Sequence, residues 1–119
     1  MFSIEFENMQ NDANLVEVGN SINEWLKRHP RVDRLNPVLL CQDLKVRPFE
    51  IARFLHEMTL SGALTVTYSP IMPSGEVSLD EFESPVEIED RILLDGFDRP
   101  YQVDERKIVP VYRPVREKV

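Results

Sequence analysis

The sequence predicts an α+β fold, with helices in its first half and β-structure in its second. Three observations carry this. Leu15, Val18, Ile22 and Trp25, and later Ile51, Phe54, Leu55 and Met58, recur at helical spacing. Asn36-Pro37 and Arg47-Pro48 place Pro where a helix opens, because the first turn loses nothing by a missing N–H. Beyond Gly62 the pattern changes to Thr- and Val-rich or alternating stretches separated by Pro, Ser and Gly. At 119 residues with a hydrophobic fraction of 42%, the chain suits one domain with a modest core.

The elements follow in order. Phe2, Ile4 and Phe6 alternate with Ser3, Glu5 and Glu7, the period of a short strand that needs a pairing partner. A helix is expected over 13–29. Asn11 or Asp12 would cap its start, Lys27, Arg28 and His29 would meet its negative end, and Pro30 stops it. A short helix over 37–44 follows, and a third opens at Arg47-Pro48, carries Glu50 in its first turn and closes at Gly62. Residues 63–68 read as a strand and 69–75 as a turn, with 76–82 as the return strand through Val77, Leu79 and Phe82. Two further β stretches are expected, over 101–103 and 107–112, joined by a turn at 104–106; Pro110 marks the second as an edge strand. Ile88, Ile92 and Leu93 within 86–95 serve a helix or a strand equally well.

Charge is uneven. Fourteen Lys and Arg face 21 Asp and Glu, a formal net charge of −7. Residues 1–30 carry −3, 31–72 carry +1 and 73–119 carry −5, and 76–90 holds seven acidic residues and no basic one. One Cys and two His exclude a disulfide framework and a structural zinc quartet. Asp95-Gly96-Phe97-Asp98 lacks the ligand spacing of a calcium loop. No nucleophile elbow, phosphate loop or Cys–His–Asx set is present, so neither catalysis nor a cofactor is expected. The acidic start is unlike a signal peptide, and no apolar run approaches the ~20 residues of a membrane span, so a cytoplasmic chain without membrane contact is expected.

Three helices, a tight junction between the second and third, then a β-hairpin: this order resembles the winged helix-turn-helix superfamily over about residues 15–82. The resemblance is most specific in LNPVLLCQDLKVRPFEIARFLHEMTLSGALTV. Leu40 and Cys41, followed by Leu44, match the apolar–small pair of the second helix, and Val46 matches the apolar plug of the turn. Ile51, Arg53, Leu55 and Met58 match the third helix, and Gly62-Ala63-Leu64 the step into the wing. Lys45 stands where Gly often relaxes the turn. Arg47 replaces a Ser or Thr cap, at a typical cost of ~1 kcal/mol. The resemblance implies a winged-helix domain over 1–82, with the short N-terminal strand, and leaves 83–119 as an acidic β-containing extension packed on it.

In this superfamily the third helix enters the DNA major groove. The outward residues expected here are Arg47, Phe49, Glu50, Arg53, His56 and Glu57. Arg47 and Arg53 suit that role; Phe49, Glu50 and Glu57 do not, because phosphate repels carboxylates and base edges call for donors. The expected wing, 65–82, has no basic residue and three acidic ones, Glu76, Asp80 and Glu81. The leading expectation is therefore a non-catalytic interaction or regulatory module. It binds a protein partner or a second copy of itself through the third helix and the acidic wing and tail. The alternative is a dimeric DNA-binding transcriptional regulator that uses Arg47 and Arg53, with Lys27, Arg28, Arg31, Arg34 and Lys45 completing one positive face. Trp25 and Cys41 are expected in the core, and His29 and His56 on the surface.

Overall fold

The computed structural model describes Ile4 and residues 13–115. It is α+β, with three helices and two small antiparallel sheets. Helix α1 (Ala13–Arg28) buries Leu15, Val18, Gly19, Ile22, Trp25 and Leu26 along one stripe, and Lys27 and Arg28 occupy its last turn. Helix α2 (Pro37–Asp43) opens as its sequence requires: the Asn36 side chain accepts the Leu39 N–H at 2.9 Å and Pro37 takes the first position. Helix α3 (Pro48–Leu60) buries Ile51, Phe54, Leu55 and Met58, and Arg47 at its cap makes no side-chain capping bond. Gly62, at φ +87, reverses the chain, and the Ala63 N–H closes onto the Met58 carbonyl.

The chain divides into two compact units, residues 1–65 with 112–119, and residues 66–111. In the first unit α3 packs on both α1 and α2. The Trp25 Nε1–H donates to Asp43 Oδ2 at 2.8 Å, which ties α1 to the end of α2. Leu35, in the link between those helices, exchanges two backbone hydrogen bonds of 2.8 Å with Tyr112. The N-terminal strand expected over residues 2–6 lies outside the described residues apart from Ile4. Ile4 is buried, and the Asn23 side chain stands where a strand partner would: Oδ1 accepts the Ile4 N–H and Nδ2 donates to its carbonyl, each at 3.0 Å.

Strands β1 (Leu64–Pro70) and β4 (Ile108–Pro114) pair with one another. Backbone bonds flank this pair at both ends, Val115 N–H to Ala63 O and Ile71 N–H to Lys107 O, so the strands run antiparallel. The hairpin expected between 63–68 and 76–82 is therefore corrected. Residues 76–82 form no continuous strand: they meet the first arm at two isolated antiparallel bridges, Tyr68 with Phe82 and Ile71 with Val77, at the Ser78 N–H bond to the Pro70 carbonyl, and at side-chain bonds such as Thr67 Oγ1 to Glu81. Local side-chain bonds add to these scattered backbone bonds where a continuous ladder would run. Ser78 Oγ accepts the Asp80 N–H at 3.1 Å, Ser69 Oγ donates to the Asp80 carbonyl at 2.8 Å, and Leu79 is 84% exposed, out of the alternation expected of it. The true partner, β4, buries Val109, Val111 and Tyr112, with Pro110 where β4 meets no continuous strand on its other side.

Within residues 66–111 the ambiguous stretch 86–95 is neither one helix nor one strand. A 3₁₀ turn (Pro85–Glu87) is capped by Ser84, whose Oγ accepts the Val86 N–H, and strand β2 (Ile92–Leu94) follows. Strand β3 (Pro100–Gln102) lies one residue earlier than expected and pairs antiparallel with β2: Ile92 opposite Gln102, Leu93 opposite Tyr101, Leu94 opposite Pro100. A second 3₁₀ turn (Glu105–Lys107), capped by the Asp104 side chain, leads into β4. Pro70, Ile88, Val103, Val109 and Val111 are the buried apolar residues described in this unit, together with Ser69 and Ser78.

Candidate interaction surface

Helix α3 positions most of the residues singled out in the sequence. Because Ile51, Phe54, Leu55 and Met58 point inward, the 3.6-residue period fixes what points outward. Phe49, Ala52, Arg53, His56 and Leu60 form that exposed stripe. Its two ends are large and apolar, with Phe49 72% exposed and Leu60 69% exposed. Ala52 and Leu60 were not among the expected contact residues; their signal was the phase of the buried face, counted on to the last turn.

The other candidates lie beside the stripe rather than on it. Arg47 is exposed at the cap, and its carbonyl accepts the Glu50 and Ile51 N–H groups at 3.0 and 3.2 Å. Glu50 and Glu57 are half-buried. Glu50 lines a shallow groove with Val18 and Ser21 of α1 and Leu44, Lys45 and Val46 of the α2–α3 turn. The basic candidates fall in two places along the fold. Lys27, Arg28, Arg31 and Arg34 occupy the end of α1 and the link after it, and Lys45 joins Arg47 in the α2–α3 turn. Lys27 pairs at 3.4 Å with Glu24, both mostly exposed, an interaction worth little in water. His29 is exposed as expected and stacks on Trp25 with ring centroids 4.2 Å apart, its Nδ1 2.8 Å from the Trp25 carbonyl. Trp25 is buried as expected, whereas Cys41 is only half-buried.

Charge separates the two units sharply. The first holds ten basic and ten acidic residues; residues 66–111 hold four basic and eleven acidic and so carry the entire net charge of −7. Three of those four basic side chains are engaged locally. The Arg91 guanidinium lies 5.5 Å over the Phe82 ring, Arg99 lies 5.1 Å over the Phe97 ring and 3.4 Å from Asp95, and Arg106 lies 3.3 Å from Asp104. The Asp95 carboxyl is held below its ordinary value, first by the Arg99 backbone N–H, then by the Phe97 N–H and the Arg99 charge. The Asp104 carboxyl is lowered likewise, by the Arg106 backbone N–H and guanidinium. Both stay ionised near neutral pH.

Among the described residues no group of three or more His, Cys, Asp or Glu could hold a metal ion, and no helix is long and apolar enough to cross a membrane. No family model, no curated protein and no solved structure matches the chain.

Proposed function

We propose that this chain is a non-catalytic interaction module on a winged-helix scaffold, and that it binds a protein partner through the outer face of α3, with the acidic residues 66–111 as a second contact. The scaffold reading is supported by the element order. Three helices lead into β1, and β1 pairs with β4 as the two arms of a wing, with residues 71–107 inserted between them. The single observation that carries the functional reading is the α3 stripe. A helix laid on DNA presents donors to base edges and cations to phosphate. This one presents large apolar groups at both ends, Phe49 and Leu60, with Ala52, Arg53 and His56 between them. Exposed apolar groups of that size cost nothing in a groove between proteins and gain little against phosphate.

The test is photo-crosslinking in the source cell, with a photoreactive phenylalanine analogue at position 49 and, as control, at the exposed Thr65. The expected result is a discrete protein adduct from position 49 that the control lacks. Nucleic-acid adducts from position 49 would turn the reading to the DNA-binding regulator, with Arg47 and Arg53 as its contacts.

A further inference from the structure

The β2–β3 hairpin has an open edge, an apolar face and an acidic setting. The Val103 N–H donates to the Arg91 carbonyl at 2.9 Å, and the Asp95 N–H to the Arg99 carbonyl at 2.8 Å. In an antiparallel ladder hydrogen-bonded and non-hydrogen-bonded pairs alternate. The bonded pairs are thus 91 with 103, 93 with 101 and 95 with 99, and the backbone groups of Ile92 and Leu94 turn away from β3. They meet no partner among the described residues. The outer edge of β3 is less usable, because Pro100 has no N–H. β2 carries neither Lys nor Pro, and its three-residue length is the one usual edge protection it has.

The same two residues present side chains on one face, since residues two apart in a strand share a face. Ile92 is 72% and Leu94 56% exposed, whereas Leu93 between them is half-buried opposite Tyr101. Charge then selects the occupant. A second copy would bring another unit of net charge −7 against this one, and nucleic acid or an anionic membrane would be repelled in the same way. Asp90, Asp104, Glu105 and Arg106 line a groove with Gln102, the residue opposite Ile92; Arg106 pairs with Asp104 at 3.3 Å, so the groove keeps a net negative charge at the open end of the hairpin.

We propose that β2 accepts an extended segment of a partner protein in which Lys or Arg alternates with apolar residues. The segment pairs its backbone with Ile92 and Leu94, lays its apolar side chains beside theirs and directs its cations to the surrounding carboxylates. This deepens the protein-binding reading but does not depend on α3.

The experiment is calorimetric titration of the full chain with peptides of about seven residues, the length of an ordinary strand. One alternates Lys with Val, one Lys with Ser and one Glu with Val, and a fourth is the Lys–Val peptide N-methylated on its pairing edge. The Lys–Val peptide is expected to bind at least about tenfold more tightly than Lys–Ser, since apolar burial adds to charge. The Glu–Val and N-methylated peptides are expected to fail. The double variant Ile92→Ser, Leu94→Ser, at exposed positions, should keep its melting curve and bind Lys–Val no better than Lys–Ser. A double variant on α3, Phe49→Ser with Leu60→Ser, should bind Lys–Val as the parent does. Equal affinities for Lys–Val and Lys–Ser would overturn the proposal, as would loss of binding in the α3 variant. Binding to neutral phosphatidylcholine vesicles that depends on Ile92 and Leu94 would also overturn it, by assigning the face to a membrane.

Discussion

A Phe54→Ala chain is expected to be about 3–5 kcal/mol less stable than the parent, the range for an aromatic side chain removed from a packed core. Phe54 is 0% exposed in the middle of α3, next to Leu55 and one turn from Ile51 and Met58, and α3 is the helix that both α1 and α2 pack against. Truncation there removes contacts from the centre of the helical core, with little room for collapse between three rigid elements. Against a typical total of ~5–15 kcal/mol, one substitution removes a large share of the folding free energy. Urea unfolding checks this, with far-UV circular dichroism and tryptophan fluorescence as the two probes. Trp25 is the only Trp and is buried on α1, so its emission reports the helical unit. Phe49→Ala, on the opposite face of the same helix, is the matched control and should cost no more than about 0.5 kcal/mol.

The double variant Phe49→Ser, Leu60→Ser should separate function from stability. Buried aromatic and aliphatic anchors at the centre of an interface typically cost ~2 kcal/mol or more each when truncated. Affinity for the protein captured at position 49 should therefore fall roughly a hundredfold or further, with each 1.4 kcal/mol giving about tenfold. Folding should barely respond, because both side chains already face solvent. Surface plasmon resonance against the captured partner, with a thermal melt of the variant beside it, measures both. Undiminished affinity would remove the α3 stripe from the interface.

Helices were readable from the sequence because their determinants are local. Asn36 and Pro37 define the start of α2 by one capping bond and one missing donor, and the spacing from Leu15 to Trp25 places α1 to within a residue at its end. The strand pairing was not readable, because it is non-local. Val77 and Leu79 alternate as a return strand should, and Phe82 follows less strictly, but alternation does not name a partner. β4, far along the chain, offers Val109 and Val111 to the core, while the Ser69 and Ser78 hydroxyls satisfy the Asp80 backbone in the nearer segment. The exposed stripe was legible in part. Phe49, Arg53 and His56 followed from the apolar phase of α3. Leu60 did not, because a Leu two residues before Gly62 reads as one more core residue until the burial of Met58 shows which way the last turn faces.

The net charge of −7 resides wholly in residues 66–111, so the helical unit, with ten charges of each sign, is left to decide whether phosphate is bound at all. Fluorescence anisotropy of a random-sequence DNA duplex, titrated with the full chain at about 50 mM and about 200 mM salt, asks this directly. The account of α3 as a protein-docking helix predicts no saturable binding at either salt. Saturable binding at the lower salt that falls steeply at the higher one would contradict it.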